Sequence, residues 1–319
     1  MAIELACVRT HPKPWGVADL RPWGTFAHAA LPIGEISFER SAGSGNDPAL
    51  LLKLLFTSEP LSIQVHPADA FAQSVGLPLG KAEAWYVLSA QPGAQVGVGL
   101  THSVTPLQVR QAVNEGSIGD LIAWRTVAAG DVVSVPAGTI HAIGAGLVIA
   151  EVQQRSDVTY RLFDYDRNRE LHVDQALAVA DTTQTEVPLP PTPLGEGRTL
   201  LASNPHFVFE RLELPPHGQW LLEASRETWL FVLDGAASIG PVNAVKGEAV
   251  FAEAERVELG VGAYGLTCLI AYTGAGGPLP QLLQRSFEPP AADNSAKPEL
   301  KKRESFSDVP ESTKSIGIM

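Results

Sequence analysis

The chain has 319 residues, long enough for one large or two ordinary domains, and is 45% hydrophobic and 18% charged with a formal net charge of −12. That composition is globular. The negative charge argues against a general nucleic-acid binder, and the lack of any run of about 18 apolar residues argues against a helical membrane span. Cys7 and Cys268 lie too far apart in sequence to suggest a disulfide framework or a CxxC metal knot. The start, "MAIELACVRTHPKPWG", has no basic segment leading into an apolar one, so a cytoplasmic location is expected.

From the N-terminus, short runs rich in Val, Ile, Tyr and Phe alternate with Gly, Pro and Asp: "GEISFER", "LSIQVHP", "AWYVLSA" and "AQVGVGL". They read as strands. A break follows at "TPLQVRQAVNEGSIGDLIAW". Thr105 can cap, Pro106 suits a first helical position, and Leu107, Val109, Ala112 and Val113 give a partly helical pattern, which predicts a small helical insertion near 105–123. Strands resume with "DVVSVPAG", "GLVIAEVQQ" and "VTYRLFDY". The fold class is mainly β, a sandwich or barrel.

The proline-rich stretch 187–197 reads as a linker between a first domain, 1–186, and a second, 198–285. The polar tail, 286–319, reads as flexible. The second domain repeats the first in outline. "EAWYVLSA" from Glu83 resembles "ETWLFVLDG" from Glu227, and "GDVVSVPAGTIHAI" from Gly130 resembles "GEAVFAEAERVELG" from Gly247. This register sets His141 on Glu258, and the second copy has no counterpart of the Gln64–His66 pair. One unit is expected to carry chemistry and the other to survive as scaffold.

Gln64, His66, Glu83 and His141 are polar residues on or beside apolar strands. Gln64 and His66 share a face at two-residue spacing. Two imidazoles and a carboxylate suit Zn²⁺ with a position left open, and the lack of cysteine fits a catalytic or ligand-binding metal better than a closed structural one. These ligand types do not by themselves select zinc over iron. Each residue taken singly is as well explained as a hydrogen-bonded core residue. Lys81 shares the face of Glu83 and could bind phosphate, or act as a base if burial lowers its pKa. Ser62 shares the face of Gln64 and could donate to phosphate. Trp15 and Trp85 line a pocket or belong to the core.

Together, "QVHPADAFA", "GKAEAWYVL", "PAGTIHAIGAG" and "EVQQRSDVTYRLFDYDR" resemble type I mannose-6-phosphate isomerase, in its short bacterial form, a zinc-dependent family of the cupin superfamily. The resemblance runs with strong motifs from Trp15 to Arg167 and more weakly through the second unit. It implies two cupin-type barrel or jelly-roll units and one Zn²⁺ per chain. His66, Glu83 and His141 would be ligands, with Gln64 as an additional or variable one. Arg161 would be the catalytic arginine; its plain alternative is an ion pair with Asp164 or Asp166. The implied partner is a small phosphosugar, the implied reaction an aldose–ketose isomerisation, and the expected assembly a monomer or homodimer. A metal-dependent cupin with other chemistry and a non-catalytic sugar-phosphate binder are the competing readings. Two motifs depart from the family pattern: Ala68 stands where HPDD is common, and Ala82 and Ala84 stand where KTECWY is common.

Overall fold

Period-two alternation decides what each side of a strand meets. The structure, a computed structural model, describes residues 2–24, 31–41, 43, 45–183, 190–274 and 276–286. The strand Leu50–Thr57 is buried at every position. Its Leu50, Leu52, Leu54 and Phe56 enter one apolar cluster, and Leu55 enters another on the opposite face. It is central in a six-stranded sheet ordered Cys7–Val17, Ile33–Glu39, Leu50–Thr57, Leu147–Gln154, Glu83–Ala90, Val132–Val135. A five-stranded sheet is ordered Tyr160–Phe163, Ile63–Val65, His141–Ile143, Gln95–Leu100, Ile122–Thr126. The two pack through Leu55, Trp85, Val87 and Ile149 from the first and Val96, Val98 and Ile143 from the second. The class is mainly β, and the form is a jelly-roll type of sandwich: among the described residues no sheet closes into a barrel.

The outer face of the five-stranded sheet is covered by helices. Ile63, Val65, Ala142 and Leu162 meet Val109, Ala112, Ile118 and Ala176 there. The helical insertion is present as Pro106–Glu115 and Ile118–Leu121. Thr105 and Gln108 form a reciprocal capping box and Gly116 ends the first helix in the left-handed conformation, as the local sequence demands. The helix Asp69–Ser74 starts at Ala68 without a side-chain cap, one consequence of Ala in place of the family's Asp. No helix among the described residues is long and apolar enough to cross a membrane.

The second β unit is one ten-stranded sheet folded over its own core. Its longest strand, Glu255–Thr273, pairs through its first part with Gln219–Ala224 and through its last part with Phe207–Leu214. Two features cross the expected division of the chain. The N-terminal strand Ala2–Leu5 pairs with Ala249–Glu253 and so belongs to the second unit's sheet. Within the stretch 187–197, Thr192–Gly195 is a strand paired with Arg198–Ser203. Residues Gly195 to Gly197 turn the hairpin with φ of 89°, 51° and 74°. Pro193 is tolerated because this strand is the sheet's edge. Proline density thus marks an edge strand over the second half of that stretch; 184–189, like the tail from 287, lie outside the described residues. A shared cluster, with Phe38, Leu52, Leu54 and Phe56 facing Phe207, Phe209, Trp229 and Phe231, joins the units.

The two matched glycine turns share one local device. Ala128 N–H donates to Asp131 Oδ2 at 2.8 Å, and Val245 N–H to Glu248 Oε2 at 2.9 Å. Gly130 and Gly247 both turn there with positive φ, 94° and 87°. The equivalent glutamates then part ways. Glu83 faces the interior of the sandwich, whereas Glu227 accepts from Ala49 N–H at 2.5 Å, Leu50 N–H at 2.8 Å and Trp229 Nε1 at 3.1 Å, clamping the start of the central strand of the first unit. Glu258, the counterpart of His141, is exposed. Replacing Glu227 by Ala leaves those donors unmet and should lower the unfolding free energy by about 3 kcal/mol, at about 1–3 kcal/mol per buried unsatisfied group. Urea unfolding measures this; metal content of the folded protein should not change.

Candidate metal centre

Strand pairing assembles one side of the site. Gln64 lies opposite His141 on one neighbour and Arg161 on the other, so all three project from the same face of the five-stranded sheet. Ser62 and His66 flank Gln64 at two-residue spacing. Glu83 opens a strand of the facing sheet, opposite Val135 and Gln153. Two glycines make the close approach possible. Gly138, at φ 88°, donates its N–H to the His66 carbonyl at 2.7 Å. A Cβ on Gly80 would lie 2.4 Å from the Pro67 carbonyl oxygen, so only glycine lets the segment leading to Lys81 run against His66-Pro67.

His66, Glu83 and His141 converge with their ligand atoms within 4.8 Å of one another, each 1–2% exposed. His66 Nε2 is 3.2 Å from Glu83 Oε1, and His141 Nε2 is 3.7 Å from Oε2. Each imidazole has its Nδ1 2.8 Å from a backbone carbonyl, Val158 for His66 and Thr139 for His141. A carbonyl only accepts, so Nδ1 carries the proton and Nε2 presents a bare lone pair. Burial, then the Lys81 charge, pushes His66 down to about 3, and burial lowers His141 as well. Two lone pairs therefore face a carboxylate that burial opposes but the Lys81 charge holds well below its usual range. This donor set fits a divalent cation, which would take both imidazole lone pairs and the ionised acid at one point.

Gln64 donates its Nε2 to His141 Nε2 at 3.3 Å and accepts from Ser62 Oγ at 2.9 Å through Oε1. Its amide thus occupies the lone pair that a metal would use, and its oxygen reaches the same point only after the amide turns. Lys81 Nζ sits 2.8 Å from Glu83 Oε1 and 3.4 Å from His66 Nε2. Burial alone would lower its pKa; Glu83 and Glu151 outweigh burial and raise it. The two buried acids that face Lys81 thus favour its charged form over a neutral, basic one.

Arg161 is partly buried, with its Nε buried and unpartnered. Desolvation and then the nearby Arg169 lower its pKa. It forms no ion pair among the described residues: Asp164, which could have paired with it, is held by Arg167 and Arg169. Trp15 and Trp85 are both in the sandwich core, and Trp85 packs edge-on against His141 at 5.7 Å.

Sequence reading missed Glu151. It is buried opposite Lys53 and Trp85, and accepts from Trp85 Nε1 at 3.0 Å. Burial and then Glu83 raise it to about 7. Lys53 lies 3.8 Å from Glu35, which Lys13 also reaches at 3.0 Å, so alternating charges line the interior face of the six-stranded sheet. An inward-facing Glu at alternate spacing from Gln153 in "VIAEVQQ" is the signal that was available.

The fold and site define a cupin-type β protein with a buried histidine–carboxylate donor set in one of two related units. No family model matches the chain. A mannose-6-phosphate isomerase of Streptococcus mutans is 36% identical over 226 residues, 66% of this chain and 69% of that protein. Mannose-6-phosphate isomerase ManA of Bacillus subtilis is 39% identical over 139 residues, 41% of this chain and 44% of that protein. The crystal structure of the Bacillus subtilis mannose 6-phosphate isomerase superposes with a TM-score of 0.74 at 23% identity, covering 85% of this chain and 99% of that one. A zinc-bound mannose 6-phosphate isomerase gives 0.65 at 14% identity, covering 86% and 100%. The chain belongs to the mannose-6-phosphate isomerase family.

Because His66 and His141 are neutral when folded and ordinary when unfolded, the unfolded chain binds more protons below about pH 6.5. Through this pair the metal-free protein loses stability as pH falls from about 6.5 towards the His66 value of about 3. His66→Asn should flatten the slope of stability against pH by up to about 1.4 kcal/mol per pH unit. Urea unfolding from about pH 4 to 7 compares the two; equal slopes would contradict a neutral buried His66.

Proposed function

We propose that the chain is a zinc-dependent isomerase that interconverts mannose 6-phosphate and fructose 6-phosphate through an enediol. The observation that carries this is the buried convergence of His66 Nε2, His141 Nε2 and the Glu83 carboxylate, in a row shared with an unpaired Arg161. Membership of the isomerase family supports the substrate class.

One Zn²⁺ per chain would be held by His66, Glu83 and His141, with Gln64 as an additional ligand once its amide turns, and would supply Lewis-acid polarisation of the substrate's C1 and C2 oxygens. The chain's own groups do the rest. A proton leaves C2 and one arrives at C1. Glu151, at about 7, has the proton affinity for acid–base work near neutral pH. Arg161 is a fixed cation available to the negative charge that develops on the enediolate oxygens, because no carboxylate among the described residues forms an ion pair with it. Lys81 stays protonated and offers charge rather than a lone pair. Ser62 holds the Gln64 amide oxygen.

Turnover of mannose 6-phosphate, followed by coupled formation of fructose 6-phosphate, should vanish on chelation and return with zinc. His141→Ala should lose metal and turnover together. Arg161→Ala should keep its metal and lose about 100-fold or more in kcat, the scale of one preorganised charge donor. Zinc-replete protein without isomerase activity would leave the sugar-phosphate binder and the metal-dependent enzyme of other chemistry.

A further inference from the structure

The segment after Arg161 folds back on itself in an unfavourable backbone. Tyr165, Asp166 and Asn168 take left-handed φ of 50°, 58° and 56°, a region disfavoured for residues with a Cβ and least so for Asn and Asp. The turn returns two arginines to Asp164, whose side chain is 4% exposed. Arg169 spans both carboxylate oxygens, Nε to Oδ2 at 2.6 Å and Nη2 to Oδ1. Arg167 Nη1 reaches Oδ1 at 3.4 Å, while its Nη2 donates to the Pro60 carbonyl at 2.7 Å and Glu59 at 3.0 Å. Both guanidinium groups also lie over the Trp15 ring, Arg169 at 4.8 Å and Arg167 at 5.8 Å from its centre. Arg161 is three residues from Asp164 and within range of its charge, yet has no carboxylate partner among the described residues and keeps an unpartnered buried Nε. Strain kept beside a site marks a function for the arrangement it enforces.

We propose that Asp164 is a positioning residue: by binding Arg169 and Arg167 it saturates its own oxygens and so leaves the Arg161 guanidinium open to substrate. This rests on the reading of Arg161 as the group that meets the reacting oxygens. The arginine that matters for Asp164 is the one it does not hold. Removing Arg169 opens a carboxylate oxygen; Arg167 already spends its other nitrogen on Pro60 and Glu59, which leaves Arg161, within range of the Asp164 charge and without an ion pair among the described residues, as the cation to fall onto it.

The test is a suppressor cycle in the zinc-loaded protein, with zinc content and thermal melting as checks of folding. Arg169→Gln should lower kcat about 100-fold, the scale of a misplaced catalytic group. Adding Asp164→Asn to it removes the trap and should restore kcat by about tenfold or more, one order of that loss. A purely structural salt bridge predicts the reverse, a double variant no better than the single one, and that result overturns the proposal. So does an Arg169→Gln variant with full turnover. If Arg169→Gln does not fold, Arg169→Lys, which leaves one oxygen of Asp164 open, must show the same rescue. Arg161→Gln separates the two readings. If it turns over normally, the role of Arg161 itself is wrong; if it is inactive and no rescue appears, only the role of Asp164 is.

Discussion

Two imidazole lone pairs are held against an ionised carboxylate where water cannot relieve them, and the rest of the first unit is arranged around that conflict. The carbonyls of Val158 and Thr139 take the Nδ1 protons and thereby aim both Nε2 atoms at Glu83. Lys81 answers part of the carboxylate's charge at 2.8 Å and reaches the His66 lone pair only at 3.4 Å. A single cation satisfies all three groups at once, which is why the donor set is intelligible as a metal centre and not as a hydrogen-bonded core. Such a set survives only on a rigid frame, since each group alone would prefer water.

That frame is built from both units. The strand Leu50–Thr57 is apolar on its outer side, where the second unit covers it, and it and the next two strands of the sheet carry Lys53, Glu151 and Glu83 on the inner side. The second unit has the same Glu–aromatic strand and acid-capped glycine turn as the first, but its glutamate accepts from backbone amides instead of facing two imidazoles. Glu227 thus has a mechanical task. Its clamp on Ala49 and Leu50 holds the strand against which the catalytic half of the sandwich is assembled. The N-terminal strand, seated in the second unit's sheet, ties the halves a second time.

Charge is distributed by the same logic. Among the described residues, Lys81 pairs with Glu83, Lys53 with Glu35 and Arg169 with Asp164, while Arg161 forms no ion pair. The exception lies in the row of Gln64 and His141, on the face that carries the donor set. A guanidinium without a paired carboxylate in a partly desolvated place favours an anionic neighbour, which is what the proposed role of Arg161 uses.

Local sequence determined a good deal by itself. The capping box at Thr105, the glycine turns and the period-two alternation are decided within a few residues, so the mainly β class, the helical insertion and the repeat were legible directly. The Gln64–His66 pair was legible as a same-face pair for the same reason. Its convergence with Glu83 and His141 is a tertiary fact, as is the pairing that sets Arg161 beside Gln64. Only the pairing of strands distant in sequence determines which side chains share a face. The edge strand within 187–197 and the exchange of Ala2–Leu5 into the other sheet were hidden because edges are defined by the absence of a neighbour, which no local pattern records. Glu151, the charge state of Lys81 and the freedom of Arg161 depend on desolvation and on charges brought from other strands. Those are properties of a packed interior, and they come into being only when the two sheets close on each other.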